Sequence, residues 1–212
     1  ILVNKFGKRF SNEKADYDSS WRSFHDKQNW GNLDYTNIPA YQIYDQKVRE
    51  KGTLAGKTIN EKLPDWFSQS PTIGGLARKL KINEKALKKT VEEYNQFAKK
   101  GKDPYFHRGE TVYDRMGSED IGAALQPLDK PPYYGAEVAP GDLGTTGGCK
   151  VNKKAQVIDA LDQPIKRLCA SGNNSGVGSP GTSYGGGGGT IGPALTFSYI
   201  AGKTISSFKP WS

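Results

Sequence analysis

The chain has 212 residues, 35% hydrophobic and 25% charged, with 30 Lys and Arg against 22 Asp and Glu for a formal net charge of +8. This is the composition of a fairly polar globular protein of one domain or two small ones. No run approaches ~18 consecutive apolar residues, which argues against a transmembrane helix, and the opening residues do not read as a signal peptide.

The opening stretch ILVNKFGKRFSNE is patterned as a hairpin turning at Lys5-Phe6-Gly7-Lys8. A chain that starts at Ile on a strand reads as a fragment or a processed piece. From Lys14 to Thr53 the sequence is aromatic-rich and is expected to be irregular, with Tyr17, Trp21, Phe24, Trp30, Tyr35, Tyr41 and Tyr44. Such rings suit an active-site or partner surface and equally a small aromatic core. Thr72 or Ser70 can cap a short helix bearing Ile73, Leu76, Ala77 and Leu80, weakened by Gly74-Gly75. Asn83 then caps a stronger helix whose Leu87, Val91, Tyr94 and Ala98 recur at helical spacing, ending before Gly101. Nine Lys or Arg against three Glu between Arg78 and Lys102 carry most of the excess charge. The segment lacks the interleaved aromatics that grip single strands, so it reads as a solvated helix face and no nucleic-acid partner is expected.

After Asp103 the chain reads as loop until DKPPYYGAEV, where Pro131-Pro132 lead into a strand. AQVID and RLCAS are further strands joined around Asp162-Gln163-Pro164. Cys149 and Cys169 form no framework, suit a reducing compartment and read as small buried hydrophobes. His25 and His107 lie far apart, without CxxC or HExxH, so no metal site is expected. A composition shift at residues 141 to 148, GDLGTTGG, marks the expected domain boundary.

The stretch TSYGGGGGTIGPALTF, 182–197, places five glycines before a helix that Pro193 is expected to open, with Gly192-Pro193 as its cap and first residue and its end near Ser206. Bare glycine backbone lets another molecule come close, and the positive end of a helix favours a group that is or becomes anionic. Ala194, Ser198 and Gly202 form a small-residue face against which a sheet or a flat cofactor can pack. Gly176-Val177-Gly178-Ser179-Pro180-Gly181 matches GxGxxG formally. Pro180 stands before the third glycine, no helix opens there, and the supporting acidic residue is missing, so it is set aside as a dinucleotide loop.

The runs VNKFGKRFSNEKADY, Tyr113-Asp114-Arg115, LDKPPYYGAEVAPGDLGTTGG, AQVIDALDQPIKRLCASGNNSG and SYGGGGGTIGPALTFSYIAG carry a resemblance, in order and over nearly the whole chain. They resemble the C-terminal part of the FAD-dependent 3-ketosteroid Δ1-dehydrogenases, within the wider fumarate reductase/succinate dehydrogenase-like flavoproteins. The resemblance implies an α+β substrate domain over 1–145. It implies that 146–212 are the C-terminal strand–loop–helix segment of a Rossmann-like α/β FAD-binding domain, whose N-terminal part, with its pyrophosphate loop and a further catalytic tyrosine, would come from a segment or chain outside this one. It implies FAD as cofactor and a 3-ketosteroid or similar apolar ketone as substrate. By the same resemblance, Tyr184 and the Gly188 N–H polarise the C3 carbonyl, Tyr17 removes the C2 proton, and flavin N5 accepts hydride from C1. Gly172, Asn173, Gly192, Pro193, Ala194 and Leu195 lie against the flavin. A cytoplasmic location follows, with room for peripheral membrane association, while the chain alone is expected to be inactive.

The residue types suit that chemistry. A C–H beside a ketone becomes acidic only when charge flows onto the oxygen, so two donors there lower the barrier. A tyrosine of pKa ~10 is a poor base at neutral pH and needs help from its surroundings. Gly185 and Gly189 depart from the family's usual Pro or Ala and Ala, and LGTTGG lacks the histidine of the fumarate reductases. The alternatives are a related flavoprotein acting on another enone or a dicarboxylate and, in another class, a basic binding module. Arg9, Arg22, Arg49, Arg78, Arg108, Arg115 and Arg167 are the chain's arginines. None lies in the glycine loop to clamp a dicarboxylate, which favours an apolar ketone.

Overall fold

Leu2 and Val3 are neighbours on one strand and both are buried. Side chains alternate along a strand, so a sheet carrying both must be covered on two faces. The computed structural model describes residues 1–29, 34–116, 121–141, 147–177 and 187–209, with main chain only at 17–19, 27–29 and 121. The chain forms two units, Ile1–Pro140 and Gly141–Ser212, of mixed α and β content.

The first unit runs β1 (Leu2–Asn4), α1 (Tyr17–Phe24), β2 (Lys27–Asn29), β3 (Asp34–Tyr35), β4 (Ala40–Tyr44), α2 (Gln46–Lys51), β5 (Ser68–Ser70), α3 (Ile73–Lys79), α4 (Glu84–Lys100), α5 (Ile121–Ala124) and β6 (Tyr133–Val138). Its antiparallel sheet has the order β1-β4-β6-β5, with Leu2 opposite Gln42 and Ile43 opposite Gly135. Val3 and Ile43 face a core built with Leu76, Leu87, Val91 and Tyr94 of α3 and α4. Leu2 and Ala40 face the other way, onto Phe24 of α1. Phe10 meets Phe24 edge-on there, at 5.2 Å between ring centroids.

The caps of α3 and α4 fall where the sequence places them. Thr72 Oγ1 accepts from Gly75 N at 3.0 Å, and Asn83 Oδ1 accepts from Ala86 N at 2.9 Å. Gly101 ends α4 at φ 66°, a left-handed conformation in which glycine carries no penalty. Arg78 and Lys88 pair with Glu84 on the exposed surface.

Three expectations are corrected. The stretch from Lys14 to Thr53 is not irregular: it holds α1, β2, β3, β4 and α2, and β4 lies inside the main sheet. Tyr41 and Tyr44 there are strand residues, a role aromatics favour. The opening turn exists, with Gly7 at φ 75° and Asn4 Oδ1 accepting from Phe6 N and Lys8 N. Its second arm is one bridge, Val3 to Arg9, and the main partner of β1 is β4. Cys149 is exposed and Cys169 half-buried, so neither is a core residue.

The second unit holds β7 (Gln156–Ile158) and β8 (Pro164–Cys169), a 3-10 turn at Gly172–Asn174, and α6 (Ile191–Ser206). Asp159 builds the β7–β8 turn by accepting from Leu161 N and Gln163 N. Pro193 does not open α6. The helix starts at Ile191 with Thr190 before it, and Gly192 N already bonds Gly188 O at 2.9 Å. Pro193 is thus the third helical residue, within the first turn, where a missing N–H is tolerated. Ala201 of α6 is buried, while Ile191, Leu195, Tyr199 and Ile205 are exposed. Among the described residues no helix is long and apolar enough to cross a membrane.

Candidate active site

In the first unit, polar chemistry concentrates on the segment between β1 and α1. Arg9 meets Glu13 two-pronged, Nε to Oε1 and Nη2 to Oε2, both at 2.9 Å. Arg9 Nη2 also donates to Asp103 Oδ2 at 2.9 Å, and Arg108 Nη1 to Glu13 Oε2 at 2.9 Å. The backbone N–H of Leu2 reaches Glu13 Oε1 at 2.9 Å, fastening β1 to the same carboxylate. The Arg9 guanidinium lies over the rings of Tyr94, at 4.8 Å, and Phe106, at 5.0 Å. Burial works against the charged form of Glu13, but the Arg9 hydrogen bonds and the surrounding positive charges prevail and lower its pKa to about 2.

One residue before Glu13, Asn12 donates from Nδ2 to Asp114 Oδ2 at 3.0 Å, and that oxygen also accepts from Gly109 N at 2.8 Å. Asp114 is buried. Arg115 donates to the carbonyls of Gly109 and Glu110. The Tyr-Asp-Arg run is therefore a loop fastener. Tyr17 opens α1 four residues beyond Glu13, and its side chain lies outside the described atoms.

In the second unit, Gly172 has φ 59°, and a Cβ built on it would stand 3.6 Å from the Cβ of Ala194 in the first turn of α6. Ser171 Oγ and Ser198 Oγ are hydrogen-bonded at 2.9 Å, holding the 3-10 turn to the helix. Asn173 lies in that turn. Gly188 has φ 89°, and nothing comes within 4 Å of where its Cβ would be; the same open space faces Gly187 and Gly192. Gly172, Asn173, Gly192, Pro193, Ala194 and Leu195 are thus gathered at one end of α6, with Gly188 on the turn leading into it. Tyr184 lies outside the described residues, as does the Gly178–Gly181 part of the GxGxxG match. The open space at Gly187, Gly188 and Gly192, beside an exposed Leu195, has the shape and polarity that a flat, partly apolar ring system such as isoalloxazine requires.

The buried Arg9–Glu13–Asp103–Arg108 cluster and the Asn12–Asp114 bond were not read from the sequence as interacting groups. The only signal was that Asn12-Glu13 and Tyr113-Asp114-Arg115 stood among the motifs carrying the resemblance.

Mixed α and β architecture and an open glycine backbone at a helix start are compatible with a flavin-binding class. The chain belongs to the FAD binding domain family, which matches residues 1–190, and FAD is that family's cofactor. It is 37% identical to 4-oxocyclohexanecarboxylate 2-dehydrogenase of Sinomonas cyclohexanicum, over 97% of this chain and 36% of that one. It is also 37% identical to 3-oxosteroid 1-dehydrogenase of Mycobacterium tuberculosis, over 97% of this chain and 38% of that one. Among solved structures, the 3-ketosteroid Δ1-dehydrogenase of Sterolibacterium denitrificans in complex with 1,4-androstadiene-3,17-dione matches with a TM-score of 0.82 at 34% identity. That match covers 99% of this chain and 39% of the other. The chain therefore spans little more than a third of the length of the relatives it matches.

Proposed function

We propose that this chain is part of a flavoenzyme that desaturates ring A of a 3-ketosteroid. The observation that carries this reading is the match, over 99% of the chain at a TM-score of 0.82, to a steroid dehydrogenase holding a steroid dienone. Residues 1–145 act as substrate domain. Residues 146–212 are the strand–loop–helix part of a Rossmann-like FAD-binding domain whose pyrophosphate-binding portion comes from outside these residues.

Gly172, Asn173, Gly192, Pro193, Ala194 and Leu195 hold the isoalloxazine, and the positive end of α6 favours negative charge on it. When bound, the flavin supplies at N5 the acceptor for the hydride that leaves C1. Tyr17 takes the proton from C2, so that a C1=C2 double bond forms as the two C–H bonds break. Tyr184 and the Gly188 N–H donate to the C3 oxygen, where charge gathers as the proton departs; one such donor contributes on the order of 10²–10³ in turnover.

The partners of six of the chain's seven arginines support a ketone over a dicarboxylate. Arg9 and Arg108 are committed to Glu13, Arg78 to Glu84, Arg49 to the carbonyls of Thr58 and Glu61, and Arg115 to those of Gly109 and Glu110. Arg167 donates to Lys209 O. A second reading keeps the chemistry and changes the ring. The 37% identity to 4-oxocyclohexanecarboxylate 2-dehydrogenase favours a monocyclic ketone carrying a carboxylate.

Anaerobic titration of the complete FAD-loaded enzyme separates the two. Bleaching of the flavin absorbance by a 3-ketosteroid, with the 1,2-dehydro ketone as product, is the expected result. Bleaching by 4-oxocyclohexanecarboxylate alone selects the second reading, and bleaching by neither refutes both.

A further inference from the structure

We infer that Asp114, acting through Asn12, is a positioning residue for Tyr17. The inference rests on the reading of Tyr17 as the base. The segment joining β1 to α1 is fastened by two adjacent residues to two separate places on the loop that follows α4. Glu13 reaches Arg108, and Asn12 reaches Asp114, each across more than ninety residues of sequence. Asn12 also organises the chain ahead of it: its Oδ1 accepts from Lys14 N at 2.9 Å and its carbonyl from Ala15 N at 3.1 Å. Asp16 O then accepts from both the N–H and the hydroxyl of Ser20, starting α1. Hydrogen bonds therefore tie Asp114 through Asn12 to Lys14 and Ala15, and the main chain runs directly on through Asp16 into the helix that Tyr17 opens.

The buried end of this connection is fixed. Asp114 is 2% exposed. Its Oδ2 receives Asn12 Nδ2 and Gly109 N together, and its own N–H donates to Thr111 Oγ1 at 3.0 Å. A single carboxylate oxygen that accepts two convergent donors holds both in one geometry, and an alanine in its place leaves both donors without that acceptor. Proton transfer from carbon is steep in distance and alignment, and a displacement of about 1 Å can cost on the order of a hundredfold in rate. Asp114 supports the reaction by holding the start of α1, not by touching the ketone.

The test uses the complete FAD-loaded enzyme and four forms: wild type, Asp114→Ala, Tyr17→Phe and the double variant. Two rates are measured, flavin reduction by the ketone and solvent-deuterium exchange at the carbon beside the carbonyl. For Asp114→Ala, both rates are expected to fall about 10- to 100-fold, with KM within about twofold and flavin content unchanged. In the Tyr17→Phe background the second change should add nothing. Asn12→Ala approaches the same bond from its half-exposed partner and should give the same pattern, which guards against an Asp114 variant that fails to fold. Full rates in Asp114→Ala and Asn12→Ala beside a dead Tyr17→Phe overturn the positioning role and leave the base assignment standing. An equal further loss in the Tyr17→Phe background overturns it too, because the effect would then be general to the fold. Unchanged exchange in Tyr17→Phe itself refutes the base assignment, and the inference falls with it.

Discussion

Arg9 and Glu13, one turn apart in sequence, face each other two-pronged at 2.9 Å with both side chains almost wholly buried. A buried charge that loses its partner is far more costly than the pair was beneficial. Glu13→Gln leaves Arg9 with Asp103 alone and Arg108 without its carboxylate. It is expected to destabilise the first unit by about 3 kcal/mol at neutral pH, measured by urea unfolding.

The same carboxylate sets an acid limit. Its folded pKa, about 2, lies below the ordinary value of 4.5. A depressed folded pKa contributes stability that is fully present above the unfolded value and is lost as pH falls through the folded one. Unfolding free energy should therefore drop between pH ~4.5 and ~2 in the wild type, and in Glu13→Gln this segment of the pH profile should be shallower. Parallel profiles for the two proteins would contradict the assignment.

Gly101 isolates a backbone effect. It closes α4 at φ 66° with its N–H on Ala98 O, and nothing lies within 4 Å of the position a Cβ would take. Gly101→Ala should thus cost only the left-handed penalty, roughly 1 kcal/mol, while Gly101→Asn costs less. Thermal melts of the two variants order them.

Gly135 makes the opposite case, one of space. A Cβ on this β6 residue would stand 2.6 Å from Leu80 Cδ1 and 3.2 Å from Ile43 Cδ1. Gly135→Ala should overpack the larger core and lose about 1–3 kcal/mol. Leu80→Val in the same chain should recover part of that loss. Additive losses on denaturant unfolding would show that the clash is elsewhere.

At the proposed flavin edge, Gly172→Ala has room, since the new methyl meets Ala194 at an ordinary 3.6 Å, but it must hold φ 59°. The penalty of roughly 1 kcal/mol is carried with or without flavin, so it should appear as a lower thermal melting midpoint of the complete enzyme, with retention of FAD, followed by flavin fluorescence on dilution, little changed.

What could be read from the sequence followed how local each signal is. The two capped helices were legible because Thr72, Asn83 and Gly101 act within one turn of themselves, and Leu87, Val91 and Tyr94 keep the helical period. β4 was not, because its buried Ala40 and Ile43 point to opposite faces of a sheet covered twice, so it lacks a simple apolar-polar alternation. The start of α6 was misread by two residues, since glycine carries no mark of whether it winds or loops. Of the candidate site, the glycine-rich approach to a helix was legible as such; that it takes a flat ring is the proposal. The anchors behind Tyr17 were not, since Arg9 with Asp103 and Asn12 with Asp114 span 94 and 102 residues. No local pattern announces a partner at that range.

A helix such as α6, with Ala201 inward and Ile191, Leu195 and Tyr199 facing water, carries a second apolar stripe that is at home only when covered. Its order is then a shared property: whatever covers that outer stripe contributes the free energy that keeps the second unit folded, so the two should melt together. Handled by itself, the piece should cling to other surfaces through that stripe. Replacing Leu195 and Tyr199 with glutamate would make it better behaved in a test tube and, for the same reason, a poorer component of its enzyme.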